Sequence, residues 1–68
     1  MKIAIIGAGN IGGAIARGLA QGTIFQPSEI ICTAQSEETL EKMRKINPEF
    51  ILTHNNVEAA KQADMVLI

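Results

Sequence analysis

The string Gly7-Ala8-Gly9-Asn10-Ile11-Gly12 lies between the apolar run Ile3-Ala4-Ile5-Ile6 and a stretch with helical spacing. No other feature limits the fold of this chain as strongly. Alone, G-x-G-x-x-G arises often by chance; following a buried strand and opening a helix, it is the dinucleotide-binding fingerprint. Each glycine then has a physical task. Gly7 lets the chain turn sharply off the strand. Gly9 has no side chain, so the backbone can approach a pyrophosphate, and Gly12 lets the helix pack closely on the strand. The first N–H groups of the helix have no partners within it, and its dipole adds partial positive charge at that end. Together they suit phosphate oxygens. A glycine-rich turn that binds nothing is the alternative, and the flanking strand and helix argue against it. Gly7, Ala8, Gly9, Asn10, Ile11 and Gly12 are therefore expected to hold the pyrophosphate.

Residues 2–6 read as a strand covered on both faces, since Ile3-Ala4-Ile5-Ile6 is apolar without alternation. Helical spacing over residues 10–21 puts Ile11, Ala14, Ile15, Gly18 and Leu19 toward a sheet, with Arg17 and Gln21 outside. Gly22 suits a helix end, Phe25 is placed to cover that end, and Pro27-Ser28 marks a turn. Residues 29–33 form a second strand with Ile30, Ile31 and Cys32 as its core. Ser36 is expected to cap a helix reaching about Ile46, with Glu37 and Glu38 in the favourable first turn and Leu40 and Met43 inward. Glu38 with Lys42, and Glu41 with Lys45, are spaced as ion pairs on a solvated face. Asn47-Pro48 ends this helix, and residues 50–53 form a short third strand. Asn55 or Asn56 caps a third helix running to about Ala63, and Asn55 with Glu58 has capping-box spacing. Asp64 then opens a fourth buried strand over residues 65–68.

Strands alternating with helices imply a parallel sheet with right-handed crossovers. The expected fold is α/β, a Rossmann-like doubly wound parallel sheet of order 3-2-1-4 that breaks off after its fourth strand. Its nucleotide crevice lies above the carboxyl ends of the strands. A buried parallel strand needs cover on its far edge. Residues 1–68 are therefore expected to be the N-terminal part of a dinucleotide-binding domain, with a substrate domain outside this chain. A domain of 68 residues buries a modest fraction of its surface. The formal net charge of -1 points to neither a nucleic-acid nor a membrane partner. Phe25 and Phe50 are the only aromatics, which disfavours base stacking. The start lacks signal-peptide organisation, no apolar run approaches bilayer length, and Cys32 is the single cysteine, so a reducing, cytoplasmic setting is expected. Cys32 is expected to be a small buried hydrophobe. No group of residues has metal-ligand spacing.

In NAD-binding sequences, an acidic residue about 20 positions past the glycines holds the ribose 2′-hydroxyl. Here residues 30–36 contain no Asp or Glu. Nothing in that stretch would repel a 2′-phosphate, and Thr33, Gln35 and Ser36 offer it hydrogen bonds. NADP (NADPH) is favoured over NAD as the cofactor. No Arg or Lys lies in the same loop, so Lys42 or Arg44 would have to reach over, or neutral donors would have to suffice. Ser36 serves equally well as a plain helix cap. The loop after the third strand lies on the adenosine side of such folds, which puts Asn56 near the cofactor. His54, in that loop, has no carboxylate or second ligand nearby in sequence and reads as a surface histidine without a catalytic role.

The opening Ile5-Ile6-Gly7-Ala8-Gly9-Asn10-Ile11-Gly12, the run Ala14-Ile15-Ala16-Arg17-Gly18-Leu19, and the stretch Asn55-Asn56-Val57-Glu58-Ala59-Ala60 with Asp64-Met65-Val66-Leu67-Ile68 resemble pyrroline-5-carboxylate reductases. The likeness covers nearly the whole chain and, in that family, only the first part of the cofactor domain. It implies hydride transfer from NADPH or NADH to 1-pyrroline-5-carboxylate, giving L-proline in the last step of proline synthesis. It also implies that Gly7 to Gly12 hold the pyrophosphate, while residues 33–36 and Asn56 surround the adenosine ribose and its 2′-phosphate. The substrate, a cyclic imine acid, and the homo-oligomer interface would belong to a helical domain beyond Ile68, so no catalytic residue is assigned here. Gly12 and Gly13 stand where that family often has Ala and Ser, and the loop after strand two lacks the Arg that many members carry. Coenzyme F420-dependent NADP oxidoreductases and hydroxyacid dehydrogenases share the opening motif. A function of another class, a nucleotide-sensing regulatory module without chemistry, also fits the fold. Such modules typically keep the acidic residue after strand two, which this chain lacks.

Overall fold

A computed structural model describes residues 1–7, 10–22 and 25–67. In chain order the elements are β1 (Ile3–Ile5), α1 (Asn10–Gln21), a 3-10 turn (Pro27–Glu29), β2 (Ile30–Thr33), α2 (Glu37–Ile46), β3 (Ile51–Thr53), α3 (Asn56–Gln62) and β4 (Met65–Leu67). The expected strand positions Ile68, Thr23 and Ile24 of the loop, and Ala8 and Gly9 of the motif lie outside the described residues. All strand pairs are parallel, in the expected order β3-β2-β1-β4. Ile5 stands opposite Cys32 on β2 and Leu67 on β4, and Thr33 stands opposite Thr53 on β3.

Strands β1 and β2 are covered on both sides, whereas β4, expected to be a buried strand, leaves Met65 and Val66 exposed at 45% and 42%, because among the described residues the packed clusters centre on β1 and β2. On one face Ile3, Ile5, Ile30 and Cys32 pack with Ala16 of α1, Met43 of α2, Phe25 and Phe50. On the other, Ala4 and Ile31 pack with Ala59 of α3. Alternation along the strands produces this split, since successive side chains leave opposite faces. Strand β2 is buried throughout, which matches its unbroken apolar run.

Helix α1 has the expected bounds but a different inward row. Ala16 is fully buried and Leu19 partly so, whereas Ala14 and Gly18 are exposed and Ile15 is 41% exposed. On a helix so rich in Ala and Gly, close approach to the sheet is set by small size, and the Ala16–Leu19 row seats better than the row carrying Ile15. Helix α2 follows expectation more closely. Ser36 Oγ accepts from Thr39 N–H at 3.1 Å, and Leu40 and Met43 are buried. Glu38 faces Lys42 at 4.0 Å, but Glu41 pairs with Arg44 instead of Lys45. At the start of α3, Asn55 Oδ1 accepts from Glu58 N–H at 2.9 Å. The reciprocal half of a capping box is replaced, because Asn55 N–H donates to Thr53 Oγ1 at 3.0 Å.

Asp64 fixes the entry of β4. Its carboxylate accepts from Lys2 N–H at 2.9 Å while its own N–H donates to Lys2 O at 2.8 Å. At the same end of the sheet, the terminal ammonium of Met1 pairs with Glu29 at 2.8 Å. That bond raises the amine's pKa and, with the Gln26 N–H, lowers the carboxyl's. Among the described residues, no helix is long and apolar enough to cross a membrane.

Candidate functional site

Three connections leave the carboxyl ends of adjacent strands: Gly7 after β1, residues 34–36 after β2, and residues 54–55 after β3. Because β2 lies between β1 and β3, the three lie in a row along one edge of the sheet. Their conformations follow from local chemistry.

Gly7 has a φ of 74°, in the left-handed region where a side chain is strained. This is the sharp turn that the first glycine of the motif is expected to make. The strands on either side hold it in place. Ile6 N–H donates to Leu67 O at 2.8 Å, continuing the ladder toward β4, and Gly7 N–H donates to Thr33 Oγ1 at 3.0 Å. Thr33 is fully buried. Its hydroxyl takes over where the backbone ladder to β2 ends, and so couples the first turn of the motif to the next strand. Asn10, Ile11 and Gly12 form the first turn of α1, which carries no acidic side chain to repel an anion. The side chains of Asn10 and Ile11, like Ala8 and Gly9, lie outside the described residues.

In the second connection, Ala34 is buried and Gln35 and Ser36 are exposed. The Ser36 hydroxyl caps α2 and also lies 2.8 Å from Thr39 Oγ1. Lys42 and Arg44, the cations that sequence spacing offered this loop, face Glu38 and Glu41 on their own helix. In the third connection Asn55 is the cap of α3, and Asn56 is exposed in its first turn.

His54 joins the second and third connections. Its Nδ1 lies 2.8 Å from Ala34 O, and its Nε2 lies 2.9 Å from Glu37 Oε2. A carbonyl oxygen and an ionised carboxylate only accept, so a protonated ring, with an N–H on each nitrogen, satisfies both contacts. Hydrogen bonds to Glu37 and then to Ala34 raise the His54 pKa above its ordinary 6.5. A carboxylate partner is therefore present, although none lies near His54 in sequence. The signal lay in topology. Thr33 pairs with Thr53, so Ala34 and His54 are the next residues beyond two adjacent strand ends. Cys32 has no part in this edge; burial pushes its thiol up to about 12.

The arrangement fits a dinucleotide. A glycine turn leads into a helix start free of acidic side chains, and the neighbouring loops present neutral donors with one paired charge. Over 69 residues the chain is 37% identical to pyrroline-5-carboxylate reductase 2 of Dictyostelium discoideum, covering 98% of this chain and 22% of that protein. Over 66 residues it is 29% identical to pyrroline-5-carboxylate reductase 1 of the same organism, covering 97% of this chain and 12% of that protein. The chain thus spans less than a quarter of either relative. No solved structure matches it. The sequence profile of one oxidoreductase family matches residues 2–68, all but the first residue of the chain. The chain belongs to that family, described as NADP oxidoreductase, coenzyme F420-dependent, and its expected ligand is a nicotinamide dinucleotide.

Proposed function

We propose that this chain is the cofactor-binding part of an NADPH-dependent reductase that converts 1-pyrroline-5-carboxylate to L-proline. The observation that carries this reading is the 37% identity to a pyrroline-5-carboxylate reductase, which extends over 98% of the chain. The edge of the sheet supports it. Gly7 turns toward the start of α1, where Ala8, Gly9 and the first turn of the helix would hold the pyrophosphate. Gln35, Ser36 and Asn56 would surround the adenosine ribose, with Thr33 positioning Gly7 from beneath. The cofactor supplies the hydride, and these residues bind and orient it. NADP is preferred over NAD in this reading, since residues 30–36 carry no acid and Glu37, the first one after them, is paired with His54. The substrate site and the homo-oligomer interface belong to sequence outside the matched stretch.

The family description favours a second reading, hydride exchange between NADP and coenzyme F420. One experiment separates the two. The full-length polypeptide is given NADPH with either 1-pyrroline-5-carboxylate or oxidised coenzyme F420, and loss of the reduced nicotinamide is followed optically. Turnover with the imine alone is expected. Turnover with coenzyme F420 alone would replace the first reading with the second. Binding of NADPH without turnover of either would favour a nucleotide-sensing module.

A further inference from the structure

Sequence spacing leaves a gap in the NADP assignment, because no Arg or Lys lies in the loop after β2 and two acids follow it directly. A 2′-phosphate carries close to two negative charges and is usually met by a cation. We propose that His54 is the specificity-determining cation of this crevice: clamped between Ala34 O and Glu37, it cancels the charge of Glu37 and lets a 2′-phosphate settle beside Gln35 and Asn56. The proposal rests on the dinucleotide reading above and adds to it the source of the discrimination between NADPH and NADH.

Three observations carry it. Both ring nitrogens of His54 face acceptors, 2.8 Å from Ala34 O and 2.9 Å from Glu37 Oε2, an arrangement that favours the charged ring. Two cations of α2 are directed to acids of the same helix, Lys42 to Glu38 and Arg44 to Glu41, and the third, Lys45, stands in the last turn, at the opposite end of the helix from Glu37. Finally, the His54 side chain is 49% exposed, so the imidazolium is open to a ligand in the crevice rather than sealed in the core. Acidic residues stand in the first turns of the two helices that follow these connections, Glu37 and Glu38 in α2 and Glu58 in α3. Of these, Glu37 is the one bonded to the ring.

The pair therefore makes cofactor choice depend on pH. Glu37 raises the histidine pKa, and while the ring is protonated the pair is neutral overall. As pH rises through that raised value, the ring loses a proton, one of its two bonds breaks, and Glu37 is left as an uncompensated negative charge facing the phosphate. NADPH then weakens, while NADH, which has a ribose hydroxyl at that position, changes little. Because the pair is partly solvated, the effect is several-fold rather than thousand-fold.

The test is to titrate the full-length polypeptide with NADPH and NADH separately at several values between about pH 7 and pH 9. In that window the ligand phosphate, with its second pKa near 6, keeps a constant charge. Wild type is expected to lose roughly three- to tenfold of its NADPH-over-NADH preference across the window. His54→Gln is expected to show that loss already at pH 7, with NADH affinity unchanged within about twofold. Glu37→Gln is expected to keep its preference across the window. In the wild-type protein, the His54 ring followed by NMR should titrate above 6.5, and in Glu37→Gln it should fall back toward that value. A preference that is flat with pH in wild type overturns the proposal. So does an equal loss of NADPH and NADH in His54→Gln, since that would mean the residue only holds the two loops together. Wild type that binds neither dinucleotide would overturn the dinucleotide reading and, with it, this proposal. Should His54→Gln fail to fold, the wild-type and Glu37→Gln titrations decide alone.

Discussion

At the scale of the residue, Thr33 does more than its place in a strand suggests. It is the only buried polar side chain among the described residues, and its hydroxyl is the partner of Gly7 N–H. Thr33→Val keeps the shape and removes the acceptor, leaving a part-buried N–H at the turn without its bond. The expected cost is about 1–3 kcal/mol in denaturant unfolding of the full-length polypeptide. Dinucleotide affinity should fall as well, because the turn loses its tie to β2. Thr33→Ser keeps the oxygen and should lie much closer to wild type. Equal stability of the valine variant and wild type would show that the 3.0 Å contact contributes nothing. His54 behaves differently, because its bonds are to groups of another loop and another helix. A group whose pKa is raised on folding stabilises the folded state fully below its ordinary value, 6.5 for histidine. That contribution disappears as pH rises through the raised value. The link between the second and third connections is therefore firmest on the acidic side of neutrality.

At the scale of the element, Gly18 shows what α1 gains and gives up by its composition. It sits mid-helix, exposed, and a methyl group added there would meet nothing within 4 Å. Gly18→Ala should raise stability by about 0.5–1 kcal/mol through lower backbone entropy of the unfolded chain. A thermal midpoint no higher than wild type would contradict that. The ends of the helices were legible in sequence because each carries a chemical mark. Gly22 follows α1, Ser36 and Asn55 accept the first free N–H groups of α2 and α3, and Asn47-Pro48 ends α2. The inward face of α1 was not legible. Apolar spacing favours the side carrying Ile15, yet contact with the sheet runs through Ala16, and in an Ala- and Gly-rich helix periodicity carries little contrast. The partner of Arg44 was also missed, since i,i+3 and i,i+4 spacings compete on the surface of a helix and both are open to Glu41.

At the scale of the whole molecule, strand order decides which residues meet. Alternating strands and helices with right-handed crossovers call for a parallel sheet, and the glycine fingerprint after β1 selects the order β3-β2-β1-β4 that the structure has. The same order contains the His54–Glu37 contact, but only for a reader who carries the register through to the loops. Local spacing separates the two residues by a strand and most of a helix, whereas the sheet sets their connections side by side. The candidate site was likewise legible as a place, and less so in the work of each side chain. Thr33 and Ser36 were expected at a phosphate, and their hydroxyls are engaged with Gly7 N–H and Thr39 N–H. Gln35 and Asn56 stay exposed.

The glycine motif is proposed to bind the pyrophosphate of a nicotinamide dinucleotide. Calorimetric titration of NADPH into the full-length polypeptide and into its Gly9→Val variant tests it most directly. Wild type should bind at one saturable site. The variant should lose at least about tenfold in affinity with an unchanged circular dichroism spectrum, because the added side chain occupies the space the phosphates need. Unaltered affinity in Gly9→Val, or no binding by wild type, would contradict the account.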